Sequence, residues 1–448
     1  MKERLGKLAL CTSIIASCFA ITSVHAEELN KPQYSPEDNF TDNWTREEAL
    51  RIQLDPSNTI PLIPPNGEPV TNEKAKIGDA WPLTNLNGEV VKYKGWNILF
   101  SLTNAKEGPN WAKIGYYYSR DGKSWKYGGN VFPEGASLSV QEWSGSTLIE
   151  GNNEISVFYT TTGETDKEPQ GYEWNQRIAS AKGRIQADEN GVRFTGFERK
   201  DHKILLEPDG KMYQTWEQYK SAQPKSQFPG FRDPWVFKDP KDGKTYMLFH
   251  GSKGGNPHEN NLTQENIGNV PEGHEVPEDS KYFVGNIGLA VATDKDLKNW
   301  KLLPPLLSAH GVSQELERPH LVFKDNKYYL FIDEHKHKFA PGLKGPDGLY
   351  GFVGSSLRGD YQPLNGSSLV LGNPEEANYQ SFAWNITPNN LVQSFIMDRQ
   401  GDAPGGNLAP TLKTEINGTQ TRFVEQLDYG YVPETTDQKI HPKASNPK

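Results

Sequence analysis

The sequence predicts an all-β fold, either a propeller or a sandwich, and three observations support this. Short runs rich in β-branched and aromatic residues recur along most of the chain, turn dipeptides separate many of them, and helical periodicity is scarce after residue 60. The strand-like runs include Trp96–Leu102, Ile155–Thr161, Thr245–His250, Ile287–Thr293 and Lys327–Asp333. The turn dipeptides are Asp121-Gly122, Asp209-Gly210, Asp242-Gly243 and Asp347-Gly348.

A weak repeat favours a propeller or sandwich over alternating strands and helices. Tyr118-Ser119-Arg120-Asp121 leads to Trp125, and Ala292-Thr293-Asp294-Lys295 leads to Trp300. Recurring hairpins of this kind are typical of repeated β units. The repeat is too weak to give the number of units.

The N-terminus predicts export. Basic residues at positions 2, 4 and 7 precede an apolar run from Leu8 to Val24, which ends in Val24-His25-Ala26. This is the pattern of a signal peptide, so we assign residues 1–26 to one and expect a secreted, extracellular protein. Cys11 and Cys18, the two cysteines of the chain, both lie in this leader, so no disulfide is expected after its removal.

The remaining chain divides into an arm, a β domain and a tail. Residues 27–75 are expected to form an arm that wraps the core, because many prolines exclude regular structure there. Within it, Thr45 and Glu48 have the spacing of a capping box and predict a helix from about Thr45 to Leu54. Residues 76–433 form the β domain, with a long loop at 252–280, and residues 434–448 are expected to be disordered.

Composition limits the kind of ligand. The formal net charge is −9, which argues against nucleic acid as a partner. No stretch after the leader is long and apolar enough to span a bilayer. The chain has 11 Trp and 19 Tyr, a content that suits an aromatic-lined site for carbohydrate.

Glu315 and Glu317 are the first candidates for chemistry. In an extended strand they lie on one face, because residues two apart point the same way. Two carboxylates this close raise the pKa of at least one of them, and a carboxyl that keeps its proton can act as a general acid. The alternative is an exposed, solvated strand edge.

Two further acids stand beside aromatic or basic residues. Asp79 lies two residues before Trp81, and Asp233 lies between Arg232 and Pro234. A structural turn cap is the alternative for Asp79, and a local ion pair is the alternative for Asp233. In a propeller, distant segments meet at one axis, so these acids and the Glu315/Glu317 pair could meet there. Glycoside cleavage needs such a set, with one carboxylate as nucleophile and one carboxyl as acid.

Five short motifs surround these acids and follow one another along the chain. They are Asp79-Ala80-Trp81-Pro82-Leu83, Gln141-Glu142-Trp143-Ser144-Gly145, Phe231-Arg232-Asp233-Pro234, Glu315-Leu316-Glu317-Arg318-Pro319-His320 and Gly345-Pro346-Asp347-Gly348-Leu349-Tyr350-Gly351-Phe352. In this order they resemble the family of secreted bacterial levansucrases, inulosucrases and β-fructofuranosidases. The resemblance covers residues 40–432 and implies a five-bladed β-propeller with a central funnel-shaped pocket that acts on sucrose with retention of configuration.

The resemblance implies roles for the three acids. Asp79 would be the nucleophile, Glu317 the acid and then the base, and Asp233 an ionised stabiliser of the transition state that holds two fructosyl hydroxyls. We expect Arg232 to keep Asp233 charged and Glu315 to raise the pKa of Glu317.

Further residues are expected to bind the sugar. His335 falls where relatives have Arg or His facing the leaving glucose, although His335-x-His337 alone could also indicate a metal pair. The substrate-binding residues implied by the motifs are Trp81, Trp143, Ser144, Arg232, Glu315, Arg318, His335 and Asp347.

Two departures from the family pattern refine these expectations. Many relatives have Trp where this chain has Gly78, which implies a wider pocket or another aromatic in that space. Calcium-binding relatives have Asp where this chain has Gln314, so we expect no metal and no cofactor.

The expected function is transfer of the fructosyl group of sucrose to a fructan, to sucrose or to water by a monomer that binds neither nucleic acid nor a membrane. The alternatives are predominant hydrolysis or short-oligosaccharide synthesis, inulosucrase activity and, more distantly, a non-catalytic sugar-binding propeller.

Overall fold

The computed structural model describes residues 34–64, 75–105, 112–151, 153–162, 174–397 and 405–433. The predicted signal peptide (1–26) and tail (434–448) lie outside the described residues. Within them the strands are β1 Asp42–Asn43, β2 Ala75–Thr84, β3 Asn97–Ala105, β4 Lys113–Ser119, β5 Lys126–Asn130, β6 Glu142–Ile149, β7 Glu154–Thr162, β8 Gln176–Asp188, β9 Gly191–Gly196, β10 His202–Leu206, β11 Phe231–Lys238, β12 Thr245–Ser252, β13 Gly285–Ala292, β14 Trp300–Ser308, β15 Glu317–Lys324, β16 Lys327–Glu334, β17 Gly348–Gly354, β18 Gln362–Pro363, β19 Leu369–Gly372, β20 Ser381–Ile386, β21 Leu391–Ile396, β22 Asn407–Leu408, β23 Pro410–Asn417 and β24 Gln420–Tyr429.

Helices are short in the described residues. The α-helices are α1 Arg46–Ala49, α2 Trp216–Ser221 and α3 Gln264–Ile267. The 3₁₀ turns are Arg199–Asp201, Pro257–Glu259, Glu278–Tyr282, Lys336–Lys338, Leu364–Gly366 and Glu375–Ala377. The predicted all-β class is therefore confirmed, and each strand-like run named above lies on a strand, with at most one residue of the run outside it.

The strands form five consecutive antiparallel groups, and the predicted five-bladed propeller is confirmed. Blade I contains β2 to β5, blade II β6 to β10, blade III β11 to β14, blade IV β15 to β19 and blade V β20 to β24. Blades I and II join into one sheet because their first strands pair in parallel, with Leu83 opposite Thr147 and Thr84 opposite Leu148. The first strand of each blade carries residues of the site described below.

Each of these five first strands is interrupted by a β-bulge. In three blades the bulge holds a non-glycine residue in the left-handed region, with φ of 61° at Asp233, 49° at Arg318 and 57° at Ala383. A bulge redirects the side chains next to it. The five interruptions lie between Ile77 and Ala80, Trp143 and Gly145, Arg232 and Trp235, Glu317 and His320, and Phe382 and Asn385.

The N-terminal segment 34–64 packs along the propeller. β1 pairs in parallel with β14, and the fully buried Arg46 donates to the carbonyls of Gly311 (2.6 Å) and Pro341 (2.9 Å). Helix α1 has the predicted capping box but ends at Ala49, five residues earlier than predicted. It ends there because Leu50, Ile52 and Leu54 instead pack against the core of blades III and IV.

The end of the chain closes the ring onto blade I. After β24, the carbonyl of Gly430 accepts from Nε1 of Trp125 (2.9 Å), and Val432 N–H donates to the carbonyl of Gly122 (2.8 Å). Gly122 has φ of 69°, and a Cβ there would lie 2.0 Å from the Val432 oxygen. The predicted Asp121-Gly122 turn therefore requires glycine for this contact.

The segment 252–280 was expected to be a loop, and it connects β12 to β13 without a further strand. It differs from the expectation in containing Pro257–Glu259, α3 and the start of Glu278–Tyr282. None of the helices in the described part of the chain has the length and apolar character that a membrane crossing needs.

Candidate active site

Two arginines link the three predicted catalytic acids at the propeller axis. Arg232 donates to Oε1 of Glu317 from Nε (3.1 Å) and Nη2 (2.8 Å), and its Nε lies 3.9 Å from Oδ2 of Asp233. Arg318 donates its backbone N–H to Oδ2 of Asp233 (3.2 Å), and its Nη1 lies 4.0 Å from Oδ2 of Asp79. Blades I, III and IV thus bring together acids that are far apart in sequence.

Asp79 is held from two sides. The hydroxyl of Ser144, on the first strand of blade II, donates to Oδ2 of Asp79. Burial raises the pKa of Asp79, while the charge of Arg318 and the Ser144 hydrogen bond oppose that rise and nearby Glu317 adds to it. The carboxylate is thereby fixed in direction.

Asp233 is the most enclosed of the three acids, with 6% of its surface exposed. Its backbone N–H donates to Oγ1 of Thr160 (3.0 Å) on blade II, which fixes the left-handed turn. Burial and the charge of Glu317 raise the pKa of Asp233 to about 7, although Arg232 opposes the shift. Arg232 favours the ionised form of Asp233 but directs its hydrogen bonds at Glu317, so the expectation that Arg232 keeps Asp233 charged stays a prediction.

Glu317 is correspondingly the more acidic group. Burial alone would raise its pKa, but Arg232, with lesser contributions from His335 and His250, lowers the pKa to about 2. The expected rise caused by Glu315 is not found. Glu315 itself contacts two cations, Arg232 (Nη2, 3.3 Å) and Lys338 (Nζ, 2.6 Å), so its charge is largely offset.

His335 faces Glu317 on the open side of the site. Its Nδ1 lies 3.0 Å from Oδ2 of Asp347, its Nε2 lies 4.0 Å from Oε2 of Glu317, and its ring stacks on Phe382 with centroids 3.7 Å apart. Burial opposes protonation of His335, but Asp347 and Glu317 outweigh it and raise its pKa. Asp347 also accepts from the backbone N–H of Lys336 (2.7 Å), so it fixes both the ring and the loop.

The two predicted tryptophans have different positions. Trp143 is half-buried, donates to Gln141 (3.1 Å) and lies 5.5 Å from the ring of Trp174, which makes an aromatic wall. Trp81 is only 3% exposed, and its Nε1 donates to Oγ1 of Thr147 (3.0 Å). The expectation that Trp81 contacts sugar is therefore corrected. Its ring lies 5.8 Å from the guanidinium of Arg318 and packs beside that side chain.

Sequence reasoning missed three residues of the site. Lys338 could have been found, because it ends the cationic run that begins at His335 and a buried acidic pair needs cations. Phe382 and Asp333 gave no signal, since Phe382 belongs to blade V and Asp333 lies in an ordinary strand pattern.

Two groups of side chains have the spacing of metal ligands, namely Glu315, Glu317 and His335, and Asp233, His250 and Glu317. Arg232 and Lys338 already contact Glu317 and Glu315, so a metal ion would have to displace these cations.

Gln314, the position linked to calcium, uses its amide within the protein. Nε2 donates to Phe228 O (2.9 Å) and Ser252 Oγ (3.0 Å), and Oε1 accepts from Val284 N–H (2.9 Å). These bonds compete with any ion for the amide oxygen, which is a ligand type that calcium uses. The absence of a metal cofactor stays a prediction.

Comparison with known proteins places the chain in a family. The family model described as Levansucrase/Invertase matches residues 34–433. The levansucrase of Erwinia amylovora is 39% identical over 423 residues, covering 88% of this chain and 97% of that protein. The extracellular sucrase of Zymomonas mobilis is 39% identical over 405 residues, covering 87% and 94%. The structure of an inulosucrase from Halalkalicoccus jeotgali bound to kestose superposes with a TM-score of 0.77 at 36% identity, covering 88% and 98%. With this match over most of its length, and with the acids of its motifs gathered at one axis, the chain belongs to the levansucrase/invertase family.

Proposed function

We propose that this chain is a secreted, retaining fructosyltransferase of the levansucrase type. It cleaves sucrose, releases glucose and passes the fructosyl group to a growing fructan, to another sucrose or to water. The observation that carries the proposal is the convergence of Asp79, Asp233 and Glu317 around Arg232 and Arg318. The names of the relatives support sucrose as the substrate and export as the destination.

In the first half of the reaction, a carboxylate oxygen of Asp79 forms a bond to the anomeric carbon of the fructosyl unit. The bond between that carbon and the glucosyl oxygen breaks, and the oxygen takes a proton from Glu317. Ser144 and Arg318 suit this step because they favour the ionised carboxylate of Asp79 against the effect of burial and hold it in one direction.

Glu317 needs a proton before it can serve as the acid. Arg232 now holds its pKa low, so sucrose has to change that contact. Sugar hydroxyls that accept hydrogen bonds from Arg232 share its charge, and the pKa of Glu317 rises as Arg232 turns away. Asp233, whose pKa is about 7, carries a proton in the empty site and passes it to Glu317 as the sugar binds, which leaves Asp233 ionised and Glu317 protonated.

Asp233 then holds the fructosyl unit. Its carboxylate accepts from two hydroxyls of the ring, and the hydrogen bond from the Arg318 backbone keeps it in place. Negative charge beside the ring stabilises the positive charge that develops in the oxocarbenium-like transition state.

In the second half, the acceptor enters from the side where glucose left. Glu317 takes a proton from the acceptor hydroxyl, that oxygen bonds to the anomeric carbon, and the bond to Asp79 breaks, so configuration is retained. His335 and Trp143 suit this side, because one presents ring nitrogen and the other an aromatic face to a sugar.

The second candidate function is an enzyme that mainly hydrolyses sucrose or makes short oligosaccharides. Gly78 motivates it, because many relatives have Trp at this position. A Cβ at Gly78 would lie 3.3 Å from Cβ of Leu102, so a neighbouring strand already fills that direction. Product size separates the candidates. Abundant high-mass fructan after sucrose exhaustion supports transfer to polymer, and free fructose or short oligosaccharides support the second candidate.

The main test is glucose release by Asp79→Ala. We expect a loss of at least about 1,000-fold, because the carboxylate that forms the covalent intermediate is removed. Asp296→Ala, an exposed aspartate far from the site, is the matched control and should retain the wild-type rate. Near-normal glucose release by Asp79→Ala would refute the assignment. Binding of sucrose by the wild type without glucose release would favour a non-catalytic sugar-binding propeller.

A further inference from the structure

Asp333 is a buried carboxyl that the mechanism above leaves without a role. It lies on β16 directly opposite Glu317 on β15, and it is fully buried. Neither of its oxygens has a hydrogen-bond partner among the described residues. A buried carboxyl without partners is costly, so its position at the centre of a site needs an explanation.

The nearest cation is Arg318, whose Nε lies 3.8 Å from Oδ2 of Asp333. The other two nitrogens of this guanidinium point in different directions. Nη2 donates to the carbonyl of Ala80 (2.8 Å), and Nη1 lies 4.0 Å from Oδ2 of Asp79. A guanidinium is planar and rigid, so fixing two of its nitrogens decides where the third points.

We propose that Asp333 is a positioning residue that acts through Arg318, pairing with Nε so that Nη1 is aimed at the nucleophile Asp79. This inference rests on the proposed function, because it assigns a role within that reaction. In the present geometry Nε and Nη1 of Arg318 have no hydrogen-bond partner among the described residues. The two nitrogens lie within ion-pair distance of their carboxylates, at 3.8 Å from Asp333 and 4.0 Å from Asp79.

The charges around Asp333 explain why it is needed in both halves of the reaction. Burial raises the pKa of Asp333, Arg318 opposes the rise, and Asp79 and Glu317 add to it. When Asp79 becomes bonded to the fructosyl carbon it loses its negative charge. Asp333 is then the carboxyl that still faces the side chain of Arg318, and it keeps the guanidinium in place until Asp79 is released.

A double-mutant cycle on the full-length protein tests this role. The variants are Asp333→Asn, Arg318→Lys and the pair, and the readout is kcat and KM for glucose release from sucrose. We expect Asp333→Asn to lower kcat about 10- to 100-fold with KM changed by less than about threefold, because an orienting contact is lost and not a sugar contact. The kcat of the double variant should lie within about threefold of the kcat of the slower single variant, because both substitutions disrupt the same interaction.

Asp239→Asn is the matched control for a buried aspartate outside the site. Asp239 is 2% exposed and accepts the hydroxyl of Tyr328 (2.6 Å), so its loss should lower the unfolding temperature but leave kcat unchanged. Asp333→Ser is measured beside Asp333→Asn, because it removes the carboxyl with a smaller side chain. The inference is overturned if the reductions in kcat of the two single variants multiply in the double variant. It is also overturned if a folded Asp333 variant has an unchanged kcat. Neither result would affect the proposed function, which fails only if Asp79→Ala keeps its activity.

Discussion

Blades IV and V use the same backbone feature for different purposes. The first strand of each has a bulge with a left-handed residue, Arg318 in blade IV and Ala383 in blade V. Blade IV presents Glu317 and Arg318 from this bulge, whereas blade V presents Ala383 and Phe382, which stacks on His335. The bulge is therefore a property of the propeller, and the chemistry is set by which side chains occupy it.

This difference bears on how strain is interpreted. A non-glycine residue in the left-handed region is often taken as a sign of a functional site. Here Arg318 fits that view, but Ala383 has the same conformation without a group that can donate or accept a proton. Left-handed geometry alone does not identify the catalytic blades.

The largest expected effect comes from removing the proton donor of blade IV. Glu317→Gln should lower glucose release from sucrose by about 1,000-fold or more, because the glucosyl oxygen leaves unprotonated. With β-fructosyl fluoride, whose leaving group needs no proton, the loss in the fructosylation step should be much smaller. Glu189→Gln, an exposed turn residue, is the control. Equal losses with both substrates would contradict the role of Glu317 as the acid.

A second effect concerns how the free energy of unfolding changes with pH. It depends on Asp233 and Glu317, whereas the bulge of blade V has no ionisable side chain. The pKa of Asp233 is raised to about 7, so its stabilising contribution is present below about pH 4 and is lost as the pH rises to 7. The pKa of Glu317 is lowered to about 2, so its contribution is present above about pH 4.5 and is lost as the pH falls to 2.

Unfolding in urea at a series of pH values separates the two windows. Relative to wild type, Asp233→Asn should flatten the loss of stability between about pH 4 and 7, and Glu317→Gln should flatten the loss below about pH 4.5. If Asp233→Asn instead changes the profile only below pH 4, the assignment of the raised pKa to Asp233 is wrong.

The smallest effect tests the shared backbone itself. Ala383→Gly and Ala290→Gly each remove one fully buried methyl group, but Ala290 lies on the extended strand β13. Glycine relieves the left-handed strain only at position 383, so Ala290→Gly should be more destabilising by about 1–2 kcal/mol. Urea unfolding of both variants measures this difference. Equal destabilisation would show that the bulge of blade V carries no strain.

The sequence was sufficient for the features that depend on nearby residues. Asp79, Asp233 and Glu317 each stand in a short motif, and the capping box at Thr45 follows from spacing alone. The order of pKa values was not predictable, because it depends on where a long side chain points. Arg232 is adjacent to Asp233 in sequence but reaches across to Glu317 on the next blade.

The position of Trp81 shows a similar limit. A motif places an aromatic near an acid but does not show which face of the strand it occupies, and a bulge changes that face. Phe382 was missed for a related reason, since its partner His335 lies 47 residues earlier and the contact arises only when blades IV and V pack together.

The contacts between the residues after β24 and blade I bear on the stage of synthesis at which the propeller closes. Blade I carries Asp79, and its outer hairpin is fastened to the end of the chain through Gly430 and Val432. A polypeptide still emerging from the ribosome lacks this fastening, and until blade V has followed it also lacks the contact of Phe382 with His335. We therefore expect the ring to close on blade I only in the last steps of biosynthesis.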